Sequence, residues 1–231
     1  MSITPSVQVG VVPFEPLGTH VLKQFRNLIL SGEVAPGDTL PETELASLFK
    51  VSRGPIRDAI SALEREGLVV SEPRRRARVV VLDEKDIEEI YSLRRSLELL
   101  AAERAARHAT EEDFAEMRDI LTRMETELNE GDPIQLSHLD TAFHDVIYRA
   151  SRHGRLYKAW TEIRSQVTFF LITRNKAAVS SKSNAIEEHH SLLEALMSRD
   201  PERVVKLTDN HLLSAYERLS SAMKDSPTTS S

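Results

Sequence analysis

The chain has 231 residues, which suffice for one large domain or two small ones, each able to bury a hydrophobic core. Hydrophobic residues make up 40% of the chain and charged residues 29%, a balance that excludes collagen-like, low-complexity and wholly disordered proteins. The absence of cysteine excludes disulfides, thiolate metal sites and cysteine nucleophiles, and the net charge of −6 argues against a protein that coats nucleic acid without sequence preference.

The chain divides near residue 83, where the charge balance changes. Residues 1–82 hold 10 basic and 9 acidic side chains, whereas residues 83–231 hold 20 and 27. No apolar run approaches the roughly 18 residues needed to cross a bilayer, and residues 1–18 lack the pattern of a signal peptide. We therefore expect a cytoplasmic protein with no membrane partner.

Residues 1–18 carry no sustained period and are predicted to form a flexible arm before a domain over residues 19–82. Apolar residues at three- and four-residue steps predict three helices in this domain, and short apolar runs on either side of a basic loop predict two strands. The first helix ends at Ser31, the other two span 42–49 and 53–66, and the strands span 68–70 and 78–82. Three helices and a basic hairpin predict a winged helix-turn-helix.

The second and third helices carry specific local expectations. In the second helix, Leu45, Leu48 and Phe49 are expected to face inward. Ser52 is a natural N-cap for the third helix, and Pro55 lies in its first turn, where the missing N–H leaves no helical bond unmade.

The third helix begins with two arginines four residues apart, Arg53 and Arg57. Both guanidinium groups emerge on one side of the helix start, where a helix-turn-helix protein meets the major groove, and Gly54 between them allows a close backbone approach. The alternative is that the arginines lie on a solvent-exposed face and pair within the helix with Asp58 or Ser61.

Three stretches of this half resemble the GntR family of bacterial transcription regulators: LPETELA at 40–46, VSRGPIRDAI at 51–60 and LEREGLV at 63–69. The resemblance implies a winged helix-turn-helix in which Arg53, Gly54 and Arg57 contact operator DNA. It also implies that the hairpin tip, which carries Arg75 and Arg76, enters the minor groove.

Two positions depart from the family pattern. Thr43 stands where many members have an arginine that touches the DNA backbone, so one phosphate contact is expected to be weaker or missing. Arg76 stands where the wing usually has glycine, and the added charge favours contact with a narrow minor groove.

The second half is predicted to be an all-helical bundle over residues 83–223, followed by a polar tail at 224–231. Local capping signals mark the helix starts: Asp83, the pair Thr110 and Asp113, and an aspartate before a proline at Asp132 and Asp200. The six predicted helices span 83–108, 111–129, 133–152, 156–175, 184–199 and 201–223.

Several polar side chains lie on predicted inward faces of this bundle. Asp140 and His144 are four residues apart, so their side chains lie on the same side of one helix. His211 faces inward on the last helix. Periodicity alone does not decide whether His189 or His190 faces inward on the helix before it. One carboxylate and three imidazoles could surround a divalent cation. The alternative is a set of core histidines whose ring nitrogens bond to carbonyls and carboxylates.

The same half resembles the FCD ligand-binding domain, which accompanies the DNA-binding domain in one branch of the GntR family. The resemblance rests on YSLR at 91–94, DTAFH at 140–144, EH at 188–189 and DP at 200–201 followed by His211. It implies metal binding by Asp140, His144, His189 and His211, and only this resemblance selects His189 over His190. Zinc is the first choice, with nickel, manganese or iron as alternatives. His153 departs from the family pattern and is expected either to cap a helix or to add a further imidazole to the pocket.

Arg94 occupies an apolar stripe of the first bundle helix, so its permanent charge needs an anion. The functional interpretation is a small carboxylate effector held between Arg94 and the metal, which the family resemblance supports. The alternative is an internal ion pair with Glu98 or Glu194.

These features together predict a homodimeric transcription regulator, a repressor that binds palindromic operator DNA and is controlled by a small carboxylate at a divalent-metal site. The effector signal is expected to pass through the 83–86 junction. No catalytic residue is predicted, and the chain is not expected to be an enzyme. The alternatives are a metal-dependent hydrolase built on the Asp/His₃ site and a DNA-binding protein that ignores ligands.

Overall fold

The computed structural model describes residues 17–71, 76–177 and 182–224, and these ranges are mainly helical. The N-terminal part contains α1 (Leu17–Ser31), α2 (Glu42–Phe49), α3 (Arg53–Arg65), β1 (Val69–Val70) and β2 (Arg78–Val79). The C-terminal part contains α4 (Glu84–His108), α5 (Glu111–Glu130), α6 (Pro133–Ala150), α7 (Gly154–Ala177), α8 (Lys182–Met197) and α9 (Pro201–Lys224). The predicted fold class, a winged helix-turn-helix followed by a helical bundle, is confirmed.

The N-terminal part packs around one apolar cluster that includes Phe25, Ile56 and Leu63. Its strands are antiparallel, with Val69 opposite Val79, and they are shorter than the sequence predicts. The predicted arm at 1–18 lies outside the described residues apart from its last two, which already belong to α1.

One of the local expectations for α2 is wrong, and one for α3 is confirmed in position only. Leu48 is 68% exposed rather than inward-facing. The buried residues of α2 are Leu45 and Ala46, so its inward face is centred between them, and Leu48 lies roughly 100° away from that centre. Ser52 occupies the N-cap position of α3, but its hydroxyl makes no capping hydrogen bond.

The starts of the bundle helices agree with the capping signals in the sequence. Asp83 accepts a hydrogen bond from the backbone N–H of Asp86 and completes a capping box, and Thr110 does the same with Asp113. Asp132 caps α6, whose first residue is a proline. Helix boundaries without such a signal are less predictable. Helix α6 stops two residues before its predicted end, and α7 and α8 each begin two residues before their predicted starts.

Helix α7 joins the two parts of the molecule. Its residues Trp160 and Phe170 belong to the core of the bundle, whereas Phe169 and Ile172 are buried in the apolar cluster of the N-terminal part. A hydrogen bond of 2.8 Å from the hydroxyl of Ser165 to Glu66 adds a polar contact between the parts.

The turn after α3 also depends on this contact. Gly67 has a φ of +68°, and a Cβ at this position would lie 2.4 Å from Nε2 of Gln166 in α7. Glycine therefore allows both the left-handed turn and the close approach of α7.

Among the helices that the structure describes, none has the length and apolar character needed to span a membrane.

Candidate metal centre and DNA-facing surface

The structure brings the four predicted metal ligands together inside the bundle. Asp140 and His144 lie on α6, His189 on α8 and His211 on α9, and one potential ligand atom from each lies within 4.8 Å of the others. All four residues are buried. The Nε2 atom of His144 lies 3.7 Å from Asp140, and that of His189 lies 3.6 Å from it.

The other two histidines considered for the metal site, His190 and His153, lie outside the cluster. His190 is exposed and bonds to Glu125 of α5 at 2.8 Å, so the choice of His189 for the inward face agrees with the structure. His153 precedes α7, where its Nδ1 accepts a hydrogen bond from the backbone N–H of Leu156. His153 is therefore a helix cap and not a further imidazole in the cluster.

An oxygen atom lies close to Nδ1 of each ring of the cluster, and for His189 and His211 it forms a hydrogen bond. Nδ1 of His189 lies 2.6 Å from the carbonyl oxygen of Ala185, and Nδ1 of His211 lies 2.7 Å from the carboxylate of Glu188. Nδ1 of His144 contacts the buried carboxylate of Glu98. Because a carbonyl oxygen and an ionised carboxylate only accept hydrogen bonds, we expect His189 and His211 to carry a proton on Nδ1 and to turn the lone pair of Nε2 toward the centre.

These residues fit a divalent cation. The buried Nε2 atoms of His144 and His189 have no hydrogen-bond partner within the described ranges, which is costly unless another group binds them. Burial lowers the pKa of His189 well below its ordinary value and also lowers the pKa of His211. The neutral imidazole is the form that ligates a metal, so the low pKa values suit that role.

Arg94 lies beside this centre and forms the internal ion pair that the sequence leaves open. Its Nε donates to Glu98 at 2.9 Å, and both side chains are almost fully buried. Burial by itself favours neutral Glu98, but the charge of Arg94 and the contact with His144 outweigh it and lower the pKa of Glu98 to about 2. Glu194 lies on the surface and is not the partner of Arg94.

The pair with Glu98 does not use every donor of Arg94. Its buried Nη2 has no hydrogen-bond partner in the part of the chain that the structure describes, and the same holds for the hydroxyl groups of Tyr148 and Thr208. Unmatched buried polar atoms are expected where a polar ligand binds.

In the N-terminal part, five of the six residues predicted to contact DNA can be located. All five are exposed: Thr43, Arg53, Gly54, Arg57 and Arg76. All of them except Gly54 line a groove of about 650 Å³ between α2, α3 and the wing. The position of Arg75 lies outside the described residues.

Gly54 has more space than the fold requires. The nearest atom to a Cβ at this position would be the hydroxyl oxygen of Ser52, 4.0 Å away. The chain itself therefore does not demand glycine here, and the open space suits an approaching partner.

Both arginines of α3 bond to a residue that the sequence reasoning missed. Glu42, the first residue of α2, accepts hydrogen bonds from Arg53 at 2.7 Å and from Arg57 at 2.8 Å. Neither periodicity nor helical spacing could reveal these bonds, because the partners are 11 and 15 residues apart and belong to different helices. The expected alternative, pairing with Asp58 or Ser61, is not what the structure contains.

Comparison with known proteins agrees with this architecture. Residues 17–79 match the bacterial regulatory proteins of the gntR family, and residues 89–214 match the FCD domain. The gluconate operon transcriptional repressor of Bacillus licheniformis is 30% identical over 193 residues, which cover 82% of this chain and 79% of that protein. The Uxu operon transcriptional regulator of Escherichia coli strain K12 is 28% identical over 228 residues, covering 90% and 86%.

Two solved structures share the fold. McbR/YncC of E. coli superposes with a TM-score of 0.78 at 23% identity, covering 91% of this chain and 100% of that one. A regulator from Rhodococcus sp. RHA1 superposes with a TM-score of 0.77 at 21% identity, covering 89% and 98%. This chain belongs to the GntR family of bacterial transcription regulators, in the branch whose DNA-binding domain is joined to an FCD domain.

Proposed function

We propose that this regulator is a repressor whose affinity for operator DNA falls when a small carboxylate binds at a metal centre in the FCD domain. The observation that carries the proposal is the buried cluster of Asp140, His144, His189 and His211 next to Arg94, whose Nη2 lacks a hydrogen-bond partner among the described residues. We place the protein in the cytoplasm, where bacterial operator DNA lies.

The chemistry of the centre suits a carboxylate ligand. The four side chains would hold a divalent cation, zinc first and nickel, manganese or iron as alternatives, and such an ion supplies open positions for oxygen ligands. Arg94 can donate a charge-assisted hydrogen bond to a second oxygen of the same ligand. Burial acts to lower the pKa of Arg94, but the charges of Glu98 and Asp140 outweigh it and raise that pKa above its ordinary value.

The DNA contacts follow from the placement of α3. We assign Arg53 and Arg57 to base edges in the major groove, and Gly54 to the close approach between them. Thr43 would contact the DNA backbone. Arg75 and Arg76 of the wing would enter the minor groove, where positive charge is favoured.

The structure offers a second route for the effector signal besides the 83–86 junction. Asp145 follows the proposed ligand His144 and accepts hydrogen bonds from Trp160 at 2.6 Å and Arg164 at 2.8 Å, both on α7. Two residues of α7 are in turn buried against the DNA-binding part. A shift of α6 on ligand binding would therefore move α7 and, with it, the DNA-binding domain.

A second copy of the chain supplies the second recognition helix for a palindromic operator. Leu93 and Leu100, two turns apart on α4, are 47% and 43% exposed and form an apolar face that suits contact between FCD domains. We expect the double variant L93E/L100E to be monomeric in size-exclusion chromatography with light scattering, because two buried charges per subunit would oppose association. L213E, at an equally exposed leucine on α9, is the control and should remain dimeric. A dimeric double variant would contradict the proposed interface.

The proposed function is tested by measuring metal content and operator release in one preparation. We expect stoichiometric metal after mild purification, and release of operator DNA by a carboxylate only in the metal-loaded protein. Gluconate is the first compound to test, because one relative is named a gluconate operon repressor. Native mass spectrometry of the purified protein would identify any other bound carboxylate.

Arg94→Lys separates the effector site from the rest of the protein. Lysine keeps the charge opposite Glu98 but loses the planar fork of arginine, so operator binding should persist while release by the carboxylate is lost. Arg95→Lys on the same helix is the matched control, since Arg95 pairs with Asp209 at the surface. Unchanged release in Arg94→Lys, or purified protein without metal, would contradict the proposal.

A further inference from the structure

Glu42 connects the two arginines at the start of the recognition helix. One oxygen of its carboxylate accepts hydrogen bonds from Nε and Nη2 of Arg53 and from Nε of Arg57. The arginine side chains are 55% and 59% exposed, and that of Glu42 is 31% exposed. Three charged groups therefore form one bonded cluster on the face that meets DNA.

Stability does not account for this cluster. Ion pairs this exposed contribute little to folding, because solvent screens the charges and ordering the long side chains costs entropy. Hydrogen bonds from Arg53 and Arg57 hold the pKa of Glu42 below its ordinary value, which favours the charged form of the carboxylate. A charged acidic group next to DNA-facing arginines weakens attraction to phosphate, so its presence calls for another role.

The hydrogen-bond geometry suggests what that role is. Arg57 donates to Glu42 through Nε, which leaves its two Nη groups for an end-on bidentate contact with guanine. A guanidinium that is already held in place loses less freedom when it meets the base. A mobile guanidinium, by contrast, can move to the nearest phosphate of any sequence.

We propose that Glu42 is a specificity-determining positioning residue, which holds Arg53 and Arg57 for base contact and restrains them from phosphate contact. This inference rests on the proposed DNA contacts of the two arginines. Glu42 contacts no base itself in this scheme. It acts by setting the direction of the two side chains that do.

The test compares E42Q with E44Q in the full-length protein. Glu44 is an exposed acidic residue in the first turn of the same helix, so both variants remove one negative charge near DNA and one favourable interaction with the helix dipole. The probes are the duplex that the wild-type protein selects from a random library and a scrambled duplex of equal length. Affinity for each is measured over a range of salt concentrations.

For E42Q we expect weaker binding to the selected duplex and tighter binding to the scrambled one, so that the ratio of the two affinities falls by about tenfold. Library selection with E42Q should lose base preference at the positions that Arg57 contacts. E44Q should strengthen binding to both duplexes similarly and leave the ratio unchanged.

Two controls distinguish this inference from the proposed function. In a variant that already carries Arg57→Gln, adding E42Q should produce a smaller fall in the ratio, because one of the two positioned groups is absent. If E42Q behaves like E44Q although Arg57→Gln lowers the ratio, Glu42 has no positioning role and the DNA contact of Arg57 stands. If Arg57→Gln leaves the ratio unchanged, the proposed DNA contact is wrong and the inference falls with it.

Discussion

Replacement of His144 by glutamine is expected to abolish the stabilisation that the protein gains from a divalent metal. Glutamine keeps much of the side-chain volume but removes the imidazole nitrogen that faces the centre. Metal at about 1,000 times its dissociation constant stabilises a folded protein by roughly 4 kcal/mol. For a chain of this size, that corresponds to a rise in Tm of about 10 °C. The wild-type protein should show this rise after chelation and reloading, and the variant should not.

The control for this experiment is His190→Gln, on the helix that carries His189. His190 lies on the surface and pairs with Glu125, so its loss should leave both the metal content and the metal-dependent rise in Tm unchanged. Measuring each variant with and without metal separates a lost ligand from a weakened core, because core damage lowers both values of Tm together. A metal-dependent rise of wild-type size in His144→Gln would contradict the assignment of His144 as a ligand.

The elements of the fold could be predicted because their signals are local. The pairs Asp83 with Asp86 and Thr110 with Asp113 cap their helices as the sequence indicates, since a capping box depends on residues three positions apart. Leu48 shows the limit of this reasoning. A helix of eight residues offers too few apolar positions to fix its inward direction, which only its packing against α3 determines.

The candidate site could be predicted in part for the same reason. Asp140 and His144 are one turn apart, so their common direction follows from helix geometry. Periodicity could not separate His189 from His190, because both adjoin apolar positions of α8, and the choice came from the family resemblance. The Arg94 to Glu98 pair also has one-turn spacing and was among the expected alternatives.

Contacts between distant parts of the chain left no signal in the sequence. Glu98 contacts His144 and Glu188 bonds to His211, but the members of each pair lie on different helices, and periodicity does not specify how these helices pack. The contact of α7 with the DNA-binding domain was likewise not predicted. Phe169 and Ile172 look like further bundle residues in the sequence, and only the structure shows which core they enter.

Replacement of Arg57 by alanine is expected to remove operator binding at concentrations where the wild-type protein is saturated. A bidentate contact between arginine and guanine contributes about 1–3 kcal/mol of discrimination between bases. In the proposed dimer the substitution occurs in both recognition helices, so the loss is about 2–6 kcal/mol. At tenfold per 1.4 kcal/mol, the affinity falls by at least about 30-fold.

The same substitution should leave the fold intact, which makes the measurement interpretable. The bond from Arg57 to Glu42 is exposed, and such pairs contribute about 0–1 kcal/mol to stability, so the Tm should change little. Arg65→Ala is the matched control, because Arg65 is exposed at the opposite end of the same helix, roughly 12 Å farther along its axis. If the operator is retarded equally by wild-type protein and Arg57→Ala in a gel-shift titration, α3 does not contact bases through Arg57. If Arg65→Ala weakens binding as much as Arg57→Ala, general charge attraction rather than the start of α3 governs affinity, because only a base contact depends on where along the helix the arginine lies.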